Sequence, residues 1–368
     1  MRIKLLHILW EGLGGAQRIV LELCRHLDLD KYDITVAILG RGGFVTDLID
    51  SKKVRVLEFG CRTTTDIRSM RAVYAFLFSN KFEIIHNHEA LFLHNLALMI
   101  VRHRSKLVYH EHGGSLLSGS LRLRIFYAIF ARFYDIFIAI HKDMTQFMKC
   151  ASKASAKKTV IIDNPVDINY FTPSKEPKRS FAGPQSHKTI GMVGRFVPQK
   201  DLALFFETAR LIIRRRPNIQ IVIVGDGPLW PRAKNASKDP AFMGRMSVLG
   251  ATSEVPEVLR SLDLFLFTSR IEAFGMTLIE SLACCVPVVG AQPEAGGART
   301  LLEGLPGVLL VRERAPELLA RATIALIEDP VLMRDMGLAG RAYVVANHSS
   351  TEWAKSIDSL YYRLLKRR

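Results

Sequence analysis

Two Rossmann-like α/β domains of similar size, facing each other across a cleft, are predicted for this chain of 368 residues by three observations. Short β-rich runs alternate with helical patterns almost from end to end, the signature of parallel sheets covered by helices on both faces. The alternation breaks once, at Thr172–Pro184, a stretch rich in proline, serine and charge, and then resumes. An apolar content of 49% over this length is enough to bury two sizeable cores.

The first series places strands at residues 3–9, 33–39, 54–59, 82–86, 106–110, 135–140 and 159–162. Ala16–Leu27, Ile67–Phe78 and Leu91–Arg102 supply helices between them. Residues 1–171 are therefore expected to form the first domain and residues 172–187 a linker. The second series has strands at 189–193, 219–224, 246–249, 263–268, 286–290 and 307–311 and turns wholly helical after residue 314, giving a domain over 188–350. The last segment, 351–368, carries Trp353, Ile357, Leu360, Tyr361, Leu364 and Leu365 at helical spacing. The second α/β series is complete by then, so that stripe needs another surface.

Composition removes several classes. No run of about 18 uncharged apolar residues exists, so a membrane-spanning helix is not expected. Met1–Trp10 resembles a secretion signal only superficially; His7 breaks its apolar run and no small-residue cleavage site precedes Glu11, so Ile3–Leu9 reads as a strand. Five cysteines (24, 61, 150, 284, 285), an odd count without a CxxC pair, point to a reducing cytoplasm. The net charge of +16 suits nucleic acid, anionic lipid or a phosphate-bearing substrate. Basic residues are spread along the chain with no zinc-finger or RNP-like motif, so nucleic acid is not expected as a partner.

The most informative stretch runs from Thr268 to Glu280. It places Glu272 on the loop after an apolar strand, Leu264–Phe267, and Glu280 eight positions on, in a helix opened by Phe274-Gly275-Met276-Thr277. Ligands bind at that edge of open α/β sheets. A helix amino terminus between two carboxylates suits a phosphate, and glycine at 275 lets a ligand approach. Eight positions span roughly 12 Å of helix at most. That spacing fits two ends of one long ligand better than a glycosidase pair about 5–9.5 Å apart. Taken alone, it also fits two ordinary surface glutamates.

Three further constellations carry chemistry. Gly12-Leu13-Gly14-Gly15 follows the first strand and opens the first helix, placed to cradle a phosphate or simply to turn tightly. Gln17 stands where a dinucleotide fingerprint needs glycine, so a nicotinamide site is not supported. Gly194-Arg195 and Lys200 put two cations near the end of the second domain's first strand, suited to a diphosphate or to solvent. His86, His88, Glu111 and His112 end two strands, but Phe92 occupies the position where a zincin motif needs histidine, so they read as substrate-binding or structural and no metal site is expected. Leu121–Tyr134 mixes arginine and aromatic residues on a helix that suits a packed core with a few exposed arginines more than a membrane interface.

In order, these motifs resemble those of retaining glycosyltransferases of family 4, which have the GT-B fold. Glu272 and Glu280 match the family's E-x7-E motif, Val193-Gly194-Arg195…Lys200 its V-G-R-x4-K element, and Gly225-Asp226-Gly227-Pro228 its G-x-G-P turn. Asp163-Asn164-Pro165-Val166-Asp167…Phe171 resembles the segment that ends the first domain. Gly14-Gly15-Ala16, His86-Asn87-His88 and His110-Glu111-His112-Gly113 resemble the donor loop and the acceptor-side histidines.

The resemblance implies roles for each match. Glu272 contacts the transferred sugar and Glu280 the ribose hydroxyls. Arg195 and Lys200 bind the donor diphosphate with backbone amides of Gly14, Gly15 and the turn Phe274, Gly275, Met276, Thr277. His112 sits beside the sugar, and the terminal helix packs back on the first domain through Trp353 and Tyr361. It further implies metal-independent transfer with retention, by front-face departure of the leaving phosphate. No cofactor is expected; the donor is a nucleotide-sugar, a UDP-sugar first, and the acceptor a glycan or lipid-linked sugar of the cell envelope. The enzyme is then cytoplasmic, with peripheral contact at the inner membrane face suggested by charge and by the Leu121–Tyr134 helix. A sugar-nucleotide epimerase of the same fold and a non-catalytic sugar-nucleotide-binding subunit are the alternatives. Four positions depart from the family: Asp201 and Cys285 where glycine is usual, Thr300 where glutamate is usual, and Asn164-Pro165-Val166 where the order differs.

Overall fold

In a computed structural model, residues 2–10, 15–40, 46, 48–63, 66–89, 91–113, 121–152, 157–174, 187–242 and 244–366 are described. Gly12, Leu13 and Gly14 of the first glycine turn lie outside them, as does the expected linker from 175 to 186. The chain divides into two compact units, Met1–Pro165 with Ser350–Arg368, and Val166–Ser349.

The first unit contains β1 (Ile3–Leu9), α1 (Gly15–His26), β2 (Tyr32–Ile38), β3 (Arg55–Glu58), α2 (Ile67–Ser79), β4 (Ile84–Asn87), α3 (Phe92–Val101), β5 (Lys106–Glu111), α4 (Leu121–Phe130), β6 (Ile136–Ala139), α5 (Lys142–Ala151) and β7 (Thr159–Ile161). The second contains β8 (Lys188–Val193), α6 (Leu202–Arg215), β9 (Ile219–Val224), α7 (Trp230–Ala236), β10 (Met246–Leu249), α8 (Val255–Ser261), β11 (Leu264–Phe267), α9 (Met276–Ala283), β12 (Val288–Ala291), α10 (Ala298–Gly304), β13 (Val308–Val311), α11 (Pro316–Ile327) and α12 (Pro330–Asn347). The final helix, α13 (Ser350–Lys366), belongs to the first unit.

Both sheets are parallel. Their orders are β3-β2-β1-β4-β5-β6-β7 and β10-β9-β8-β11-β12-β13. Each first strand therefore lies between the second and fourth strands of its unit, and the order reverses there. In open α/β sheets that reversal opens the ligand crevice at the carboxyl ends of the strands. Strands β9 and β11 are buried over their whole length, which explains the unbroken apolar sequence of β11 and that of β9 apart from Gln220, whose side chain is hydrogen-bonded to His187 Nδ1 at 3.0 Å.

Sequence and structure differ at several boundaries. Residues 166–171, expected to close the first domain, belong with the second: Val166 N–H donates to His348 O at 2.7 Å, and Arg341 Nη1 donates to Phe171 O at 3.2 Å. Strand β12 starts at Val288 instead of Val286, because Pro287 lacks an N–H and Cys285 before it is left-handed at φ 60°. Helix α4 ends at Phe130, and its aromatic residues Phe126, Tyr127 and Phe130 are buried with Tyr134. Those rings are core; the large apolar residues the helix exposes are aliphatic, Leu121, Ile125 and Ile129, beside the exposed Arg124.

Helix α13 is a core element of the first unit. Trp353, Ile357, Leu360, Tyr361 and Leu364 pack with Leu5, Leu9, Val36 and helix α1. Burying each such side chain stabilises by roughly 1.5–3 kcal/mol. Asp358 completes the seam, accepting from Lys31 Nζ and Tyr32 Oη, each at 2.6 Å. Among the described residues no helix is long and apolar enough to cross a membrane.

Candidate functional site

In the second unit the reversal point lies between β8 and β11. The chain leaving β8 passes Arg195, makes a short 3-10 turn at Pro198–Lys200, and enters α6. The loop leaving β11 carries Glu272 onto that turn. Arg270 N–H donates to Gln199 O at 2.7 Å, and Thr268 Oγ1 donates to Lys200 O at 3.0 Å. Lys200 Nζ is ion-paired with Glu272 Oε2, to which Ser269 Oγ also donates at 3.2 Å. Both charged side chains are about one-sixth exposed (16% and 15%), so the pair is shielded but reachable. Arg195 is exposed and has no ion pair among the described residues, a cation available to an anionic ligand.

Helix α9 starts beside this pair. Its N-cap, Gly275, sits at φ 92° and ψ 53°, a left-handed conformation that glycine adopts without strain, and no side chain caps the helix. Leu278 N–H donates to Gly275 O at 2.9 Å, and no side chain competes with a ligand for the N–H groups of Met276 and Thr277 before it, with the positive end of the helix dipole behind them. Met276 and Thr277 are half-buried, whereas Phe274 is buried against His348, ring centroids 5.8 Å apart, so only its backbone is offered. Glu280 lies one turn into α9 and is 1% exposed.

The glycine-rich turn after β9 is structural. A Cβ on Gly225 would lie 1.8 Å from Gly194 O, and Phe196 N–H donates to Asp226 O at 2.7 Å. Only glycine lets the two turns pack, which fixes the direction of the segment carrying Arg195.

Two residues that motif reasoning missed hold the Glu272 loop. Arg314 donates from Nη1 to Ser269 O and Gln292 O at 3.1 Å each, and from Nη2 to Thr268 O at 2.7 Å. It also pairs with Asp201 Oδ2 at 2.8 Å. Asp201 is left-handed at φ 50°, caps α6 by accepting from Leu204 N, and thereby occupies a position that suits glycine. Among the described residues the only other non-glycine with positive φ is Cys285. The two glycine departures from the family pattern are the two left-handed residues. A departure from a motif was the available signal; its meaning needed the backbone.

His112 and Gly15 belong to the first unit. Gly15 opens α1, exposed at its amino end; its neighbour Gly14 is outside the described residues. His112 ends a row of five histidines at the β1–β4–β5 edge. Cα register pairs His7 with His86, and His86 with Val108, so His7, His86, His88, His110 and His112 share one face of the sheet. His7 Nδ1 lies 3.2 Å from His88 Nε2, and His88 Nδ1 lies 2.9 Å from His112 Nε2. Burial pushes His7 and His112 down to about 3 and His86, His88 and His110 well below the usual histidine range. The rings are neutral at pH 7. Nearby, burial holds the Glu89 carboxyl up at about 7 and raises that of Glu111, which accepts from Tyr109 and Tyr127.

Comparison with known proteins follows the same division. The family described as Glycosyltransferase Family 4 matches residues 13–170, and Glycosyl transferases group 1 matches residues 174–343. The chain is 26% identical over 309 residues to a UDP-Gal:alpha-D-GlcNAc-diphosphoundecaprenol alpha-1,3-galactosyltransferase of Escherichia coli, covering 78% of this chain and 79% of the relative. It is 27% identical over 314 residues to a phosphatidyl-myo-inositol mannosyltransferase of Mycobacterium tuberculosis, covering 82% and 78%. The fold matches that of Anabaena HepE solved with UDP and glucose, with a TM-score of 0.82 at 21% identity over 98% and 99% of the two chains. Sucrose-phosphate synthase of Thermosynechococcus elongatus matches with a TM-score of 0.81 at 18% identity over the whole of both chains.

Proposed function

Because the chain is a family 4 glycosyltransferase of the GT-B fold, moving a sugar from a nucleotide donor, we propose that it uses a UDP-sugar, retains the anomeric configuration and needs no metal ion at the diphosphate. The observation that carries this reading is the shielded Lys200–Glu272 pair beside the uncapped amino end of α9. In it Arg195 and Lys200 take the donor diphosphate with the amides of the Gly275–Thr277 turn and of Gly14 and Gly15. As the bond to the sugar breaks, negative charge grows on the diphosphate, and fixed cations and dipoles stabilise that charge without reorganising. Cations already in place do the work that a divalent metal does elsewhere.

Glu272 addresses the sugar, and Ser269 orients it. Glu280 accepts from the ribose hydroxyls; a desolvated carboxylate is a stronger acceptor than a hydrated one. His112, neutral at pH 7, lies beside the sugar, and the leaving phosphate helps remove the acceptor proton.

The acceptor is a lipid-linked or other envelope glycan met at the inner membrane face. The names of the relatives, with undecaprenyl diphosphate and phosphatidylinositol acceptors, support this. So do the exposed Phe92, Leu96 and Ile100 on α3, Leu121, Ile125 and Ile129 on α4, and a net charge of +16.

The test incubates the enzyme with UDP-, GDP- and ADP-sugars and lipid-linked acceptors and reads the new linkage by NMR. Retention from a UDP-sugar, at a rate unchanged by added Mg2+, is expected. An inverted linkage would overturn the mechanism, and an epimeric sugar nucleotide formed from donor alone would make the protein an isomerase.

A further inference from the structure

The histidine row contains more nitrogen than transfer chemistry uses. His112 has an assigned place beside the sugar, but His7 and His86 lie behind it at 0% exposure. Their Nε2 atoms have no hydrogen-bond partner among the described residues, and neither nitrogen of His110 has one. Buried polar groups of this kind are normally hydrogen-bonded. A chain of neutral rings cannot pair all of them. Whichever way protons run along His7–His88–His112, each ring has one N–H and one lone pair, so one end is left with a buried N–H and the other with a buried lone pair.

We propose that His7, His86 and His88 hold a divalent transition-metal ion that braces β1 against β4 at their carboxyl ends. One ligand nitrogen from each of the three lies within 4.8 Å of the others. In a tetrahedral zinc site, with Zn–N about 2.0–2.1 Å, ligand nitrogens are roughly 3.3 Å apart. The pair His7 Nδ1 and His88 Nε2, at 3.2 Å, already has that spacing; the ion gives the unpartnered His86 Nε2 a partner, while His7 Nε2 stays unpaired. His86 stacks on His88 with ring centroids 4.3 Å apart at 22°, so it closes the remainder by tilting out of that stack, pivoting on its Nδ1 contact with Tyr361 Oη to bring Nε2 to the ion. Neutral imidazole is the form that binds metal.

The surrounding shell fits as well. Ligand histidines characteristically give their second N–H to a fixed acceptor. His86 Nδ1 lies 2.5 Å from Tyr361 Oη of α13, and His88 Nδ1 lies 2.9 Å from His112 Nε2. Nitrogen donors without carboxylates select zinc-like ions over magnesium or calcium. The half-buried His112 at the sheet edge gives an approach path. The ion is separate from the diphosphate and does not depend on the transfer mechanism.

The experiment uses tag-free, full-length protein dialysed against chelator, titrated with Zn2+ by calorimetry and with Co2+ by visible absorption. One equivalent is expected to bind, with a tetrahedral Co2+ spectrum and a raised melting temperature. His7→Gln should weaken binding by about 100-fold or more, and Tyr361→Phe, which keeps the packing, by about 10–100-fold. His94→Gln, a buried histidine outside the row, should leave Zn2+ affinity and the Co2+ spectrum unchanged. Wild-type affinity no greater than that of His7→Gln would overturn the proposal, as would a Co2+ spectrum identical in wild type and variant. Neither readout involves sugar transfer, so failure here leaves the transferase reading standing.

Discussion

Replacing Arg314 with methionine tests whether the Glu272 loop, catalytic in the proposed function, is held from behind. The guanidinium makes three bonds to backbone carbonyls of Thr268, Ser269 and Gln292, an ion pair to Asp201 at 2.8 Å and a looser one to Glu294 at 3.9 Å. A typical intramolecular hydrogen bond stabilises by about 1 kcal/mol net, and one to a charged group by somewhat more. The Arg314 and Asp201 side chains are 14% and 17% exposed, so water can take over part of what is lost. Methionine keeps the apolar stem, and about 2–3 kcal/mol of the second unit's stability should disappear. At about 2–4 °C per kcal/mol for a unit of this size, melting should fall by about 5–10 °C. The kinetic effect should exceed the thermal one, because a displacement of about 1 Å at a catalytic group can cost a hundredfold in rate. Differential scanning fluorimetry and donor turnover are the assays. Arg314→Lys separates the contributions: it can restore the pair with Asp201 but not the fork to three carbonyls, so it should recover melting more than kcat. Unchanged kcat in the methionine variant, with melting within a degree of wild type, would show that the loop is fixed by its own backbone bonds alone.

The remaining predictions address other parts of the molecule. Glu280→Ala should weaken binding of the free nucleoside diphosphate, since a carboxylate on ribose contributes in ground and transition states alike; calorimetry showing unchanged affinity would remove it from the donor site. Cys285→Gly should stabilise the second unit by about 0.5–1 kcal/mol by relieving a left-handed side chain, read as a higher urea midpoint, and a lower midpoint would refute the strain. Burial lowers His94 to about 4, so below pH 6.5 the unfolded chain binds its proton first and stability falls as pH drops towards 4. His94→Gln should therefore lose about 1–2 kcal/mol less than wild type between pH 7 and pH 5, at about 1.4 kcal/mol per pKa unit; parallel pH curves would contradict this. Trp353→Ala should cost the first unit about 3–5 kcal/mol as a core truncation, and a melting curve unlike that of a destabilised first unit would remove α13 from its core.

How much of this was legible in the sequence depended on how local the cause was. Strands such as Leu264–Phe267 declare themselves because a parallel strand buried on both faces reads as a near-continuous apolar run. The Glu272…Glu280 segment was legible for a similar reason: strand, loop and helix are consecutive, so chain order fixes their placement. Arg314 was not, because its partners at Thr268, Ser269 and Gln292 come together only when β11 and β12 pair in register. His7 was hidden for the same reason. In the chain it merely interrupts an apolar run; only the pairing of β1 with β4 sets it opposite His86. The aromatic residues of Leu121–Tyr134 were ambiguous because a ring beside an arginine has the same local pattern in a core as at a lipid surface, and only burial separates the two.

The two glycine departures show what a mismatch with a family pattern can mean. Left-handed backbone costs a side chain about 1–2 kcal/mol, so either position could have been expected to abandon the conformation. Neither does. Asp201 offsets the strain by capping α6 and by anchoring Arg314, converting a turn that only had to bend into one that also grips the Glu272 loop. Cys285 has no such compensation among the described contacts: its thiol is half-buried, burial raises its pKa, and its backbone N–H donates to Leu282 O at 3.0 Å as the turn into β12 requires whatever the side chain. The same departure is therefore functional at one site and only tolerated at the other. It follows that glycine should be neutral or better at 285, whereas at 201 it should keep the turn, relieve the strain and still impair transfer by releasing Arg314.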